Sequence, residues 1–112
     1  MAKTTFTVPF TGDILTARNS REERACRHFV LAIECAIDIY REELAGGYEC
    51  KSASEAYEHL HYRAGEIEGF ARALDWLGVM TRESRLHYIR SIFAIDMKDR
   101  ILAEMEASNE CA

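Results

Sequence analysis

Three stretches of the chain repeat their hydrophobic residues every three or four positions, the spacing of a helix with one buried face. They cover residues 19–47, 52–78 and 81–106. The first carries the clearest apolar stripe, made of Cys26, Phe29, Val30, Ile33, Ile37, Tyr40 and Leu44. The pattern therefore predicts three amphipathic helices that pack side by side.

Residues at the ends of these stretches are typical of helix termini. Ser20 with Glu23, and Ser52 with Glu55, match the capping box, in which a hydroxyl and a carboxylate satisfy backbone amides of the first turn. Thr81 precedes the third stretch in the same way. Glycines end the first two stretches, as they commonly do after helices. These signals predict where each helix begins and ends.

The N-terminal segment alternates instead, with Phe6, Val8 and Phe10 on one side of an extended chain. Pro9 restricts it to a sheet edge, and Gly12 marks a turn toward a second short strand at residues 14–16. We therefore predict a mainly all-α fold: one helical domain over residues 1–112, formed as a three-helix bundle. Residues 1–19 would be an extended or β-hairpin arm, and residues 107–112 a frayed tail.

The third predicted helix has more apolar surface than two neighbouring helices can cover. Its main stripe contains Leu86, Ile89, Phe93, Met97, Ile101 and Met105. A second stripe beside it contains Tyr88, Ile92, Ile95 and Leu102. Such a surplus is typical of association, so we expect a homodimer or a docking surface here. The alternative is that the N-terminal strand covers the second stripe.

The middle helix has only glycine or alanine at three successive turns on the side opposite its leucines. Gly65, Gly69 and Ala73 recur there every four residues, with Tyr62 and Trp76 at either end. Because each glycine destabilises a helix interior by about 1 kcal/mol, this pattern needs a reason. It predicts either close helix packing, internal or between two copies, or a shallow groove for a partner.

Charge is unevenly distributed along the chain. The net charge is −5, and residues 34–68 hold nine carboxylates against three cations. This balance disfavours direct binding of nucleic acid and favours basic protein surfaces, although carboxylates also simply keep proteins soluble. The four cysteines include no Cys-x-x-Cys pair, and no segment is apolar enough to span a membrane. We expect a cytoplasmic protein.

Candidate chemistry is sparse. Glu58 and His61 form one Glu-x-x-His, the helical spacing that supplies two metal ligands in di-iron bundles, but such a site needs a second copy. No nucleophile–histidine pattern or phosphate-binding glycine loop occurs in the sequence. We therefore predict no catalytic residue, cofactor or metal, and no enzymatic activity.

The stretch "ALDWLGVMTRESRLHYI" resembles the helix-turn-helix family: an alanine, then leucine-glycine-aliphatic, then a polar helix start. The resemblance implies that Arg82, Arg85 and Arg90 would contact DNA. A DNA-binding regulator is therefore one alternative function.

A longer stretch, "EIEGFARALDWLGVMTRESRLHYI", resembles small helical accessory proteins of phages and mobile elements of Gram-positive bacteria. The resemblance implies an accessory role, and several such acidic proteins are anti-CRISPR inhibitors. We therefore expect a protein-binding module that inhibits a host defence nuclease, or, alternatively, a homo-oligomeric accessory protein. The predicted partner-binding residues are Glu42, Glu43, Tyr62, Glu66, Glu68, Trp76 and Tyr88.

Overall fold

The computed structural model describes residues 3–111, with side chains through residue 108. A hairpin comes first, formed by β1 (Thr4–Thr7) and β2 (Ile14–Ala17). Helices α1 (Ser20–Leu44) and α2 (Ala53–Trp76) follow, joined through a 3-10 turn at Gly47–Glu49. The short helix α3 (Arg82–Arg85), a 3-10 turn at Leu86–Tyr88 and helix α4 (Arg90–Cys111) come next. The fold is mostly helical with a hairpin arm, as the sequence predicts.

The arm pairs within its own chain. Its two strands are antiparallel, with Thr4 opposite Ala17. Gly12 lies in the connecting turn with φ +77°, a conformation that a residue without a Cβ adopts easily. Val8 and Leu15 are buried in the core, where the hairpin packs on α1. The predicted alternation is confirmed only in part, because Phe6 pairs with Leu15 in the sheet, whereas the strand ends at Thr7 and Phe10 has φ 78°.

α1 is capped one residue earlier than the capping-box pattern predicts. Asn19, not Ser20, is the N-cap, and its side-chain oxygen accepts a hydrogen bond from the Glu22 amide at 2.9 Å. The Glu22 carboxylate also accepts hydrogen bonds from the backbone amide and the guanidinium of Arg18, which lower the pKa of Glu22 to about 2. Arg18 donates further to the carbonyl of Leu77 at 3.1 Å. This network joins the hairpin, the start of α1 and the end of α2.

The predicted third helix is two helices. Thr81 caps α3 as expected, but the chain becomes extended at Ile89, with ψ 131°. In a continuous helix Tyr88 and Phe93 would point about 140° apart, so one core could not bury both. The break at Ile89 lets both be buried. The three-helix bundle is therefore not confirmed.

The last helix also extends further than predicted. α4 continues through residue 111, so residues 107–111, expected to fray, are helical, and residue 112 lies outside the described residues.

α2 is central, packing on α1 along one side and on α4 along another. Its buried residues recur every three or four positions along one face: Ala56, Leu60, Ala64, Ile67, Ala71 and Leu74. Four aromatic rings fill the space between the hairpin, α1 and α4, with successive centroids 5.1 to 6.0 Å apart: Phe29, Tyr88, Phe93 and Phe10. The core leaves the opposite side of α2 uncovered.

Candidate functional site

We define the back face of α2 as Tyr62, Gly69, Ala73 and Trp76. Tyr62 is 70% exposed and Trp76 is 91% exposed. A Cβ added at Gly69 would meet no atom within 4 Å, and Ala73 is exposed. The two rings are fourteen residues apart, or about 21 Å along a helix. Two large aromatic side chains therefore stand at the ends of a helix face on which Gly69 and Ala73 are open to solvent.

Close packing within the chain is the wrong interpretation of the small residues at Gly69 and Ala73. Among the described residues, no helix covers either of them. Gly65 is covered, but by a side chain: an added Cβ would lie 2.0 Å from Nη2 of Arg90. The thin side of the helix is therefore open to solvent at Gly69 and Ala73 and covered at Gly65.

The acidic residues predicted to bind a partner divide into two groups. Glu42 and Glu66 are exposed and form no salt bridge within the part of the chain that the structure describes. Glu68 pairs with Arg72 at 3.2 Å and accepts the backbone amide of Arg90 at 3.1 Å. Glu43 is buried, with only 2% of its side chain exposed. Of these four carboxylates, Glu42 and Glu66 are thus the two that are exposed and unpaired within the described residues.

Tyr88, predicted as a surface anchor, is fully buried, which corrects that prediction. Its hydroxyl donates a hydrogen bond to Oδ2 of Asp13 at 2.6 Å and lies 3.0 Å from the hydroxyl of Thr11. Burial raises the pKa of Tyr88 well above its usual value, and the hydrogen bond to Asp13 raises it further. The side chain attaches the hairpin to the helices and is not available to a partner.

The surplus apolar surface predicted for the third helix is present on α4. Ile92, Ile95 and Leu102 are 55%, 50% and 41% exposed. The hairpin covers Tyr88 but leaves these three side chains exposed. The alternative, in which the N-terminal strand covers the second stripe, is therefore correct for Tyr88 alone among the four residues of that stripe.

The three arginines of the helix-turn-helix resemblance do not lie on a recognition helix. α3 has only four residues, whereas a recognition helix must present several side chains to the major groove. Arg85 is held by Asp75 at 2.9 Å, and Arg90 lies over Gly65. Arg82 is exposed at the end of the α2–α3 connection.

A polar cluster that the sequence analysis missed lies where α1 meets α2. The Glu43 carboxylate accepts a hydrogen bond from Nη1 of Arg63 at 2.9 Å and contacts Nδ1 of His59. Burial acts to raise the pKa of Glu43, but the hydrogen bonds from His59 and Arg63 outweigh it and hold that pKa below its usual value. The Cys50 thiol adjoins the same carboxylate and donates to the carbonyl of Ser52 at 3.4 Å.

No spacing in the sequence indicated this cluster. Glu43 is the second-last residue of α1 and His59 the seventh residue of α2, so the two are not placed symmetrically about the connection between the helices. The predicted Glu58 and His61 are not part of the cluster.

No protein-family model, curated protein or solved structure shows significant similarity to this chain. Within residues 3–111, no helix combines the length and the apolar character needed to cross a bilayer.

Proposed function

We propose that this chain is a non-enzymatic protein-binding module that contacts its partner through the back face of α2. The exposure of Trp76 is the observation that carries this proposal. Tryptophan and tyrosine contribute most of the binding energy in many interfaces, and Trp76 leaves 91% of its surface in water. Gly69 supports the same interpretation, because a glycine inside a helix destabilises it by about 1 kcal/mol and nothing within the chain fills the space beside it.

Exposed carboxylates at the Tyr62 end of this face favour a basic partner there, whereas Arg72, Arg82 and Arg85 line the surface beside Trp76. Glu58 and Glu66 lie one helical turn on either side of Tyr62, and both are exposed. A third exposed group, Glu42, lies near the end of α1. Acidic side chains attract basic surfaces over distances comparable to the Debye length. We infer a nucleic-acid-binding protein as partner, and inhibition of a host CRISPR nuclease as the role, in keeping with the resemblance to phage accessory proteins.

Trp76→Ala should weaken inhibition of such a nuclease by about thirtyfold, which corresponds to ~2 kcal/mol for one interface hot spot. The measurement is the concentration of the chain that halves DNA cleavage by the CRISPR nuclease of a Gram-positive host.

Glu66→Lys should slow association with the nuclease at low salt and have little effect at high salt, because screening removes long-range attraction.

Ile14→Ala is the matched control, because Ile14 is 71% exposed but lies on the hairpin. It should inhibit like the wild-type chain. Failure of the wild-type chain to inhibit, or equal inhibition by the Trp76 and Ile14 variants, would contradict the proposal.

Self-association is a second candidate, favoured by the arrangement of α2 about Gly69. Tyr62 and Trp76 lie seven residues before and after Gly69, and Glu66 and Arg72 lie three residues before and after it. In an antiparallel pair related by a two-fold axis at Gly69, each of these residues meets its counterpart from the second copy. Aromatic rings would then face each other, and each acidic group would face a basic one.

A charge exchange separates the two candidates. If two copies pair in this way, Glu66→Arg and Arg72→Glu should each be monomeric, because like charges then meet across the axis. An equimolar mixture of the two variants should form a heterodimer, since its charges are complementary again. Light scattering measures the mass of each sample. A wild-type monomer, or a mixture that stays monomeric, would exclude self-association and leave the foreign partner.

A further inference from the structure

The cluster between α1 and α2 brings together three side chains that are common metal ligands. Glu43 comes from the last turn of α1, Cys50 from the connection and His59 from α2. One ligand atom from each lies within 4.8 Å of the other two. In a tetrahedral zinc site the ligand atoms lie roughly 3.5 Å apart, so small side-chain rotations would bring these three to the required positions.

We propose that Glu43, Cys50 and His59 bind one divalent cation of the zinc class. A thiolate, an imidazole and a carboxylate are the donors that Zn²⁺ accepts, and the thiolate selects against Mg²⁺ and Ca²⁺. The site lies at the surface, since His59 is 44% exposed, so a water molecule can take the fourth position. This inference goes beyond protein binding and does not depend on it.

The groups around the three ligands fit the same assignment. Arg63 donates to Oε1 of Glu43 and leaves Oε2 in contact with Nδ1 of His59, so an ion bound by both atoms would replace that contact. Oε1 of Glu55 lies 4.0 Å from Nε2 of His59, the nitrogen that would carry the proton once Nδ1 binds metal. A carboxylate behind a ligating histidine, and a hydrogen bond to a ligating carboxylate, are usual in zinc sites because they orient the ligands.

Charge is balanced when the ion is present. Arg63 neutralises Glu43, so the two positive charges of the ion are offset by the Cys50 thiolate and by Glu55. Binding forms a metal–sulfur bond and transfers the thiol proton to solvent, so uptake should release protons. The bound ion would link the connection between α1 and α2, through Cys50, to His59 on α2.

Titration of the reduced full chain with Co²⁺ tests the site. We expect saturation at one equivalent, a thiolate-to-cobalt band in the near ultraviolet, displacement by Zn²⁺ and release of protons. Cys50→Ser should abolish the band and weaken binding at least tenfold, and His59→Gln should weaken it by a similar factor. Cys35→Ser and His61→Gln are the controls, because both residues lie outside the cluster and should bind cobalt like the wild-type chain.

Two results would overturn the proposal. One is the absence of a saturable band in the wild-type chain. The other is a band that survives both Cys50→Ser and His59→Gln while disappearing in Cys35→Ser, which would assign the metal to a different thiol. Circular dichroism of each variant confirms that a lost band is not due to unfolding.

Discussion

Tyr88→Ala should reduce the free energy of unfolding by about 3–5 kcal/mol, the usual effect of removing a large buried aromatic side chain. The ring packs edge-on against Phe29 and Phe93, with both centroids 5.1 Å away. Its loss would open a cavity between α1, α4 and the hairpin, and would remove the hydrogen bond to Asp13. Urea denaturation followed by circular dichroism measures the change.

Tyr88→Phe separates packing from hydrogen bonding. It keeps the ring and removes the hydroxyl, and we expect a loss of about 1–2 kcal/mol, because Asp13 and Thr11 are half-buried and can recover water as a partner. An unchanged stability in Tyr88→Ala would show that the ring is at the surface, as the sequence alone led us to expect.

Arg63→Met should also destabilise the fold, by about 2–3 kcal/mol. The Glu43 carboxylate is only 2% exposed, and within the described side chains Arg63 is its one permanently charged partner. Removing one member of a buried ion pair leaves the other charge in a poorly solvated place. The estimate is below that for a fully buried pair because 27% of the Arg63 side chain is in water. Denaturation without added metal measures the effect.

Two further variants control for the loss of the arginine itself. Arg72→Met breaks an exposed pair with Glu68 and should change stability by less than about 1 kcal/mol. Glu43→Leu combined with Arg63→Met removes both charges and should recover most of the stability lost by Arg63→Met alone. Equal effects for Arg63→Met and Arg72→Met would mean that Glu43 remains well solvated.

Local signals in the sequence predicted much of this fold. Ser52 and Thr81 cap their helices as predicted. Each hydroxyl accepts a hydrogen bond from the backbone amide three residues further along the chain, so the interaction depends on local sequence alone. The exposure of Tyr62 and Trp76 followed from helical periodicity, since both lie opposite the buried stripe of α2. Features that depend on a single element were therefore accessible without coordinates.

Features that depend on contacts between two or more elements could not be predicted from the sequence. The break at Ile89 exists because Tyr88 and Phe93 must both enter a core completed by the hairpin, and helical periodicity carries no information about that third element. Glu43 looked like another solvated carboxylate because its partners come from across the connection. Tyr48 and Glu49 adopt positive φ in that connection, 54° and 57°, a conformation that the glycines before them predict for positions 46 and 47 but not for these two residues.

The exposed position of Trp76 has a practical consequence, because it is the only tryptophan in the chain. Its indole is almost as hydrated in the native protein as in an unfolded one, so its emission spectrum will change little on denaturation. Covering the back face of α2 would remove that water and shift the emission to shorter wavelength. The emission wavelength of Trp76 should therefore change little when the chain unfolds but shift when another molecule covers the back face of α2.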